Sequence, residues 1–116
     1  MTIQVNRTIE VSAEFSNDTE SSLRFSLTKA WGSGEKKALF ILLNPSKADV
    51  LLMDNTFAYV VNYCVDANFA AVTVVNLFPY RTTEPMNLVG NYDLGLSENL
   101  KVFERELGLA NEVFIA

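Results

Sequence analysis

The chain has 116 residues, a formal net charge of −5 and 49% apolar side chains, with a mean hydropathy of +0.14 and a pI near 4.6. That length builds one domain with its own core and needs no disulfide or metal staple, so residues 1–116 read as a single α/β domain. The acidic balance, without any run of Lys or Arg, argues against tight non-specific binding to nucleic acid, which depends on neutralising phosphates.

Cys64 is the only cysteine and the chain has no histidine. An intrachain disulfide is therefore excluded, and the usual general base near neutral pH and the commonest metal ligand are both missing. The remaining Cys and carboxylates show no metal-ligand spacing, so no metal and no cofactor is expected. The N-terminus has no apolar signal core, and the apolar run Ala38–Leu43 is far too short to cross a bilayer. A cytoplasmic protein without a membrane partner is the expectation.

In chain order, residues 3–15 alternate, with Ile3, Val5, Ile9, Val11, Ala13 and Phe15 on one face. This is the period of a half-buried strand. A polar turn around Asn17 and Asp18 leads to a second alternating segment, 23–31, and the two predict an antiparallel hairpin closed by Trp31 and the Gly32–Gly34 loop. Residues 38–43 are continuously apolar, as in a strand covered on both faces, and stop at Asn44-Pro45-Ser46. Phe57, Val60, Val61, Cys64 and Val65 recur at helical spacing, with Asp54 or Asn55 as N-cap. A second buried strand spans 71–78, and a second helix carries Leu96, Leu100, Phe103 and Leu107, with Ser97 as N-cap and Gly108 beyond its end. Residues 112–116 form a last strand that stops within its apolar run.

Strand, helix, strand, helix, strand is a βαβαβ unit, which implies parallel strands joined by right-handed crossovers. The predicted fold is an α/β three-layer sandwich with a mainly parallel sheet (38–43, 72–77, 112–116), preceded by the antiparallel β-hairpin. The last strand is expected to be central or covered by a second copy, which makes a homo-oligomer through the C-terminal strand an expectation.

Ligands of open parallel sheets bind beyond the carboxyl ends of the strands, and two polar segments fall there. Asn44-Pro45-Ser46-Lys47-Ala48-Asp49 is either a turn out of the strand or part of a site. Asn76 interrupts an apolar strand, where an unpaired amide is costly. Its carboxamide either bonds a neighbouring loop or reads a base or amide edge, since it carries both a donor and an acceptor. Arg81 either clamps a phosphate or carboxylate or pairs with Glu84 or Asp49. Asp49 and Asp54 are either water-activating or metal-binding groups or solvated loop carboxylates. Tyr59, Tyr63 and Phe57 read as core and rim, and Cys64 as a buried, inert thiol.

The segments Arg24–Trp31, Leu42–Asp49, Asp54-Asn55-Thr56 and Val75–Pro85 together resemble domain-of-unknown-function family 1643, over roughly residues 23 to 116. Gly95-Leu96-Ser97-Glu98-Asn99 resembles that family's later Gly-Pro-x-Asn segment. Two departures stand out. Asn55 stands where a Pro is expected before Thr56, and the chain ends where the family continues through Trp-Gly to a His-Pro segment, which suggests C-terminal truncation.

The family's layout is similar to that of the uracil-DNA glycosylase superfamily. That resemblance implies a site for a nucleobase, nucleotide or nucleic acid, with Asn44 and Asp49 in the catalytic positions. Ser46, Asn76, Tyr80 and Arg81 would contact the substrate. The base-supporting histidine of such enzymes has no counterpart here, so a glycosylase-like domain inactive as it stands is expected. A non-catalytic binding module and a metal-assisted hydrolase using loop carboxylates are the alternatives.

Overall fold

The structure, a computed structural model, describes residues 1–116. Five strands form one mixed sheet: β1 (Glu10–Phe15), β2 (Arg24–Ala30), β3 (Lys37–Leu42), β4 (Ala71–Asn76) and β5 (Glu112–Ile115). Two helices, α1 (Asn55–Asp66) and α2 (Leu96–Leu109), connect β3 to β4 and β4 to β5. The strand order is β1-β2-β4-β3-β5. β3 runs parallel to both β4 and β5, while β1 and β2 extend the sheet antiparallel. The expected parallel trio and hairpin are therefore present in a mixed α/β fold.

The two helices draw on alternate residues of the central strands. Ala38 and Phe40 of β3 and Val72 and Val74 of β4 pack with Phe57, Val60, Val61 and Cys64 of α1. Leu39, Ile41 and Val75 instead pack with Phe25 of β2 and Val102 of α2. A strand's period of two sends neighbours to opposite faces. The continuous apolar runs of β3 and β4 thus supply both clusters. Cys64 is fully buried, and burial pushes its thiol up to about 11, which leaves it unreactive.

Three local expectations are corrected. Residues 3–9 form no strand and are exposed. β2 pairs Ala30 with Glu10 and then turns away at Trp31, so the apolar alternation of 3–9 has no neighbour to pair with.

The second correction is the seating of α2. Leu96, Leu100 and Leu107 are exposed, Leu100 by 57%, whereas Asn99, Val102 and Glu106 are buried. Polar anchors override the apolar stripe. Lys37 Nζ donates to Glu106 Oε1 at 2.9 Å, and Asn99 Nδ2 donates to the Asn76 carbonyl at 2.9 Å. Both bonds lie between the helix and the strands beneath it.

Third, α2 begins after Gly95 rather than at a Ser97 cap, and Gly108 lies inside its last turn. Gly95 has φ +65°, a conformation that favours glycine, and an added Cβ would also push Leu23 Cδ1 aside from 2.6 Å. Of the two placements expected for β5, the structure lacks the central one: β5 is an edge strand paired only with β3. Ile115 is 81% exposed on it. No helix is long and apolar enough to cross a membrane.

Candidate functional site

The carboxyl end of β3 and the start of α1 are joined by a loop that folds onto itself through side chains. Asp54 caps α1 by accepting from Phe57 N at 2.8 Å. Its other oxygen, Oδ2, accepts from Ser46 Oγ at 2.7 Å and from Ala48 N at 3.4 Å. Burial opposes the charge of this carboxylate, but the three donors and the nearby Arg24 outweigh it and hold the carboxyl below its ordinary range. Asp49 has a different task. It accepts from Leu51 N at 2.8 Å and Leu52 N at 2.7 Å and so closes its own turn. These backbone bonds keep it ionised.

Arg24 enters this region because the β1–β2 ladder carries a bulge. Glu14 pairs with Ser26 and Phe15 pairs with Arg24, so Phe25 is the extra residue. The bulge lets Phe25 join the cluster around Val102 while Arg24 shares the face of its partner Phe15. The Arg24 side chain is buried, with the residue 3% exposed. Nη1 donates to the Ala48 carbonyl at 3.0 Å, and Nε has no partner. Burial lowers its pKa to about 10, partly offset by Asp54, so it stays charged at neutral pH.

A cavity of about 50 Å³ lies between these elements, with Arg24, Asn44, Ser46, Asp54 and Thr56 as its polar lining and Leu42, Phe57 and Val74 among its apolar walls. At about 10–15 Å³ per water it has room for a few waters or one edge of a small ring. Asn44 is pinned at its mouth. Its Nδ2 donates to the carbonyls of Pro45 and Thr82, both at 3.0 Å, which ties the post-β3 loop to the post-β4 loop.

A second, open groove of about 360 Å³ adjoins the first through Ser46 and contains Lys47, Tyr80 and Arg81. The Arg81 guanidinium donates to three backbone carbonyls: Ser46 at 3.0 Å, Ser21 at 3.1 Å and Lys47 at 3.2 Å. It also lies over the Phe15 ring, 4.9 Å from its centre. Neither Glu84 nor Asp49 is its ion-pair partner, contrary to one sequence expectation. Its donors hold loops together, and a ligand oxygen would have to displace a carbonyl to use them.

Asn76 is fully buried, and both its side-chain Nδ2 and Oδ1 lack a hydrogen-bond partner. It lines neither the cavity nor the groove. Asn99, on α2, spends its Nδ2 on the Asn76 carbonyl and leaves Oδ1 unpartnered. Every buried side-chain polar atom without a partner in this chain belongs to Arg24, Asn76 or Asn99. Arg24 and Asn76 lie at the same end of the sheet, the one chosen from the sequence, and Asn99 reaches the Asn76 backbone from α2.

The structure thus gathers Asn44 and Ser46 at one cavity and Ser46, Tyr80 and Arg81 at the adjoining groove. It seals Asn76 close behind and places Asp49 outside both. Arg24 and Asn99 carried no functional assignment in the sequence reading. Arg24 sits at an alternating position of β2, and only the bulge turns it inward. Asn99 falls beside the apolar stripe of α2, and its burial depends on how that helix is seated.

No curated protein and no solved structure matches the chain. The pattern of the family described as "Protein of unknown function (DUF1643)" matches residues 24–116. That span runs from the buried Arg24 through both loops of the site to β5, and the chain belongs to this family.

Proposed function

We propose that the domain binds a nucleobase or nucleotide at the carboxyl ends of β3 and β4, in a glycosylase-like layout within a cytoplasmic three-layer α/β fold. Asn44 and Ser46 would contact the ligand directly, Tyr80 would flank it, and Asn76 would read its edge once the covering loops part. The single observation behind this reading is that buried polar atoms of Arg24 and Asn76, at the same end of the sheet, have no hydrogen-bond partner. Such atoms cost stability unless something supplies their missing bonds. A flat ligand with donors and acceptors along one edge would do so.

Binding without turnover is the form best supported. There is no histidine to support a departing base anion, and Asp49 is bound to its own turn. A metal-assisted hydrolase has less to rest on, because no three His, Cys, Asp or Glu side chains come together. Association of two copies through β5, whose outer edge is unpaired, is a separate proposal that light scattering reads directly.

The test is two-dimensional NMR of the labelled protein titrated with free bases, nucleosides and nucleotides, beside an assay of base release from modified DNA and from nucleosides. Saturable shifts confined to residues 44–57 and 76–82, without base release, are expected. Shifts elsewhere or none at all would overturn the binding reading, and release of a base would overturn its non-catalytic form.

A further inference from the structure

Resting on that reading, we propose that Arg24 and Asp54 are the recognition pair of the cavity, and that the group they admit is a neutral amide-type edge (–CO–NH–) rather than a phosphate or carboxylate. The two side chains line the same cavity, and Asp54 is near enough for its charge to act on Arg24. They nevertheless form no ion pair within 4.0 Å; the chain's salt bridges involve other residues. Their opposite charges therefore face a shared space and cancel across it.

Arg24 is only 3% exposed, and its guanidinium makes one hydrogen bond, to Ala48, while Nε is sealed from the cavity. A guanidinium that lines a cavity and makes one hydrogen bond has further donors to offer an oxygen acceptor. Asp54, ionised and acceptor-only, already accepts from Phe57 N, Ser46 Oγ and Ala48 N and has room for one further donor. A carbonyl directed to Arg24 with an adjacent N–H directed to Asp54 answers both with no net charge. An oxyanion would gain at Arg24 and lose at Asp54, which cannot give up its charge without weakening the α1 cap. The other cation nearby, Arg81, is committed to three loop carbonyls.

The probes are uracil and hypoxanthine, which carry this edge, against inorganic phosphate and acetate, with the Arg24 Nε–H and the Ala48 and Phe57 amides followed by NMR. In the wild-type chain the two bases should shift these signals saturably and the two anions should leave them unmoved. Asp54→Asn keeps an N-cap acceptor and removes the negative charge. It should weaken the bases by about tenfold and admit phosphate or acetate. Arg24→Gln should abolish the base response, and its fold is checked by amide dispersion. If Arg24→Gln unfolds, the Asp54→Asn switch in selectivity decides alone. Anion binding by the wild type would overturn the inference, as would an Asp54→Asn chain that still rejects anions. Base binding that survives both substitutions but is lost in Asn76→Leu would refute the pair and leave the base site standing.

Discussion

Replacing Asn76 by Leu should make the protein more stable while it removes the proposed ligand response. The wild-type side chain is fully buried with neither polar atom partnered. Leaving a buried donor or acceptor unmade costs about 1–3 kcal/mol for each group, while inserting a somewhat larger apolar side chain in a packed site costs about 1–3 kcal/mol in overpacking. Two relieved groups against one packing cost leave a net gain of about 2 kcal/mol. For a domain of this size that is roughly 6–10 °C in Tm. The measurement is urea unfolding of wild type, Asn76→Leu and Asn76→Val, the smaller Val separating overpacking from polarity. A rise in midpoint at unchanged m in at least one variant is expected, together with loss of the base-induced shifts. If both variants lose more than about 1 kcal/mol, the carboxamide is hydrogen-bonded in solution and the unmet-polar reasoning is refuted. A stabilising change at the cost of binding is the signature of a residue kept for function.

Three further outcomes follow from the same contacts. Asp54→Ala removes the α1 cap together with the acceptor for Ser46 and Ala48, and should cost about 2–3 kcal/mol in urea unfolding, against less than about 1 kcal/mol for Asp54→Asn. Arg81→Lys should cost about 2–3 kcal/mol, because one ammonium cannot serve three carbonyls on two loops; a loss under about 0.5 kcal/mol would show that the fork is dispensable. Asp54 and Glu106 both have folded pKa values below their ordinary 3.8 and 4.5. Their contribution is thus fully present above the unfolded values and is lost as pH falls through the folded ones. Thermal unfolding followed from pH 6 downward should show Tm falling below about pH 4.5, and Glu106→Gln should flatten that fall.

Much of the fold was legible because it depends on local pattern. The continuous apolar runs of β3 and β4 supply residues to both buried clusters, and the spacing of Phe57, Val60, Val61 and Cys64 dictated which side of α1 turns inward. The two polar breaks at Asn44 and Asn76 marked the end of the sheet where the cavity lies. Those features require only the periods of strand and helix and the cost of an unpaired buried amide.

What the tertiary structure alone decided concerns partners distant in sequence. Residues 3–9 alternate as well as 10–15 do, but β2 turns away before it can pair with them. The leucine stripe of α2 should face inward on hydrophobicity alone. It stays exposed because Asn99 and Glu106 find Asn76 and Lys37, and a buried hydrogen-bonded charge fixes a helix's rotation as firmly as a row of leucines. Arg81 offered a free clamp in the sequence until three loop carbonyls, contributed by residues 34 to 60 positions away, occupied it. Arg24 faces the cavity only because one extra residue in β2 breaks its alternation. Local periodicity determines which residues are able to be buried. Which polar groups go in with them depends on the long-range hydrogen bonds that assemble only when the strands come together.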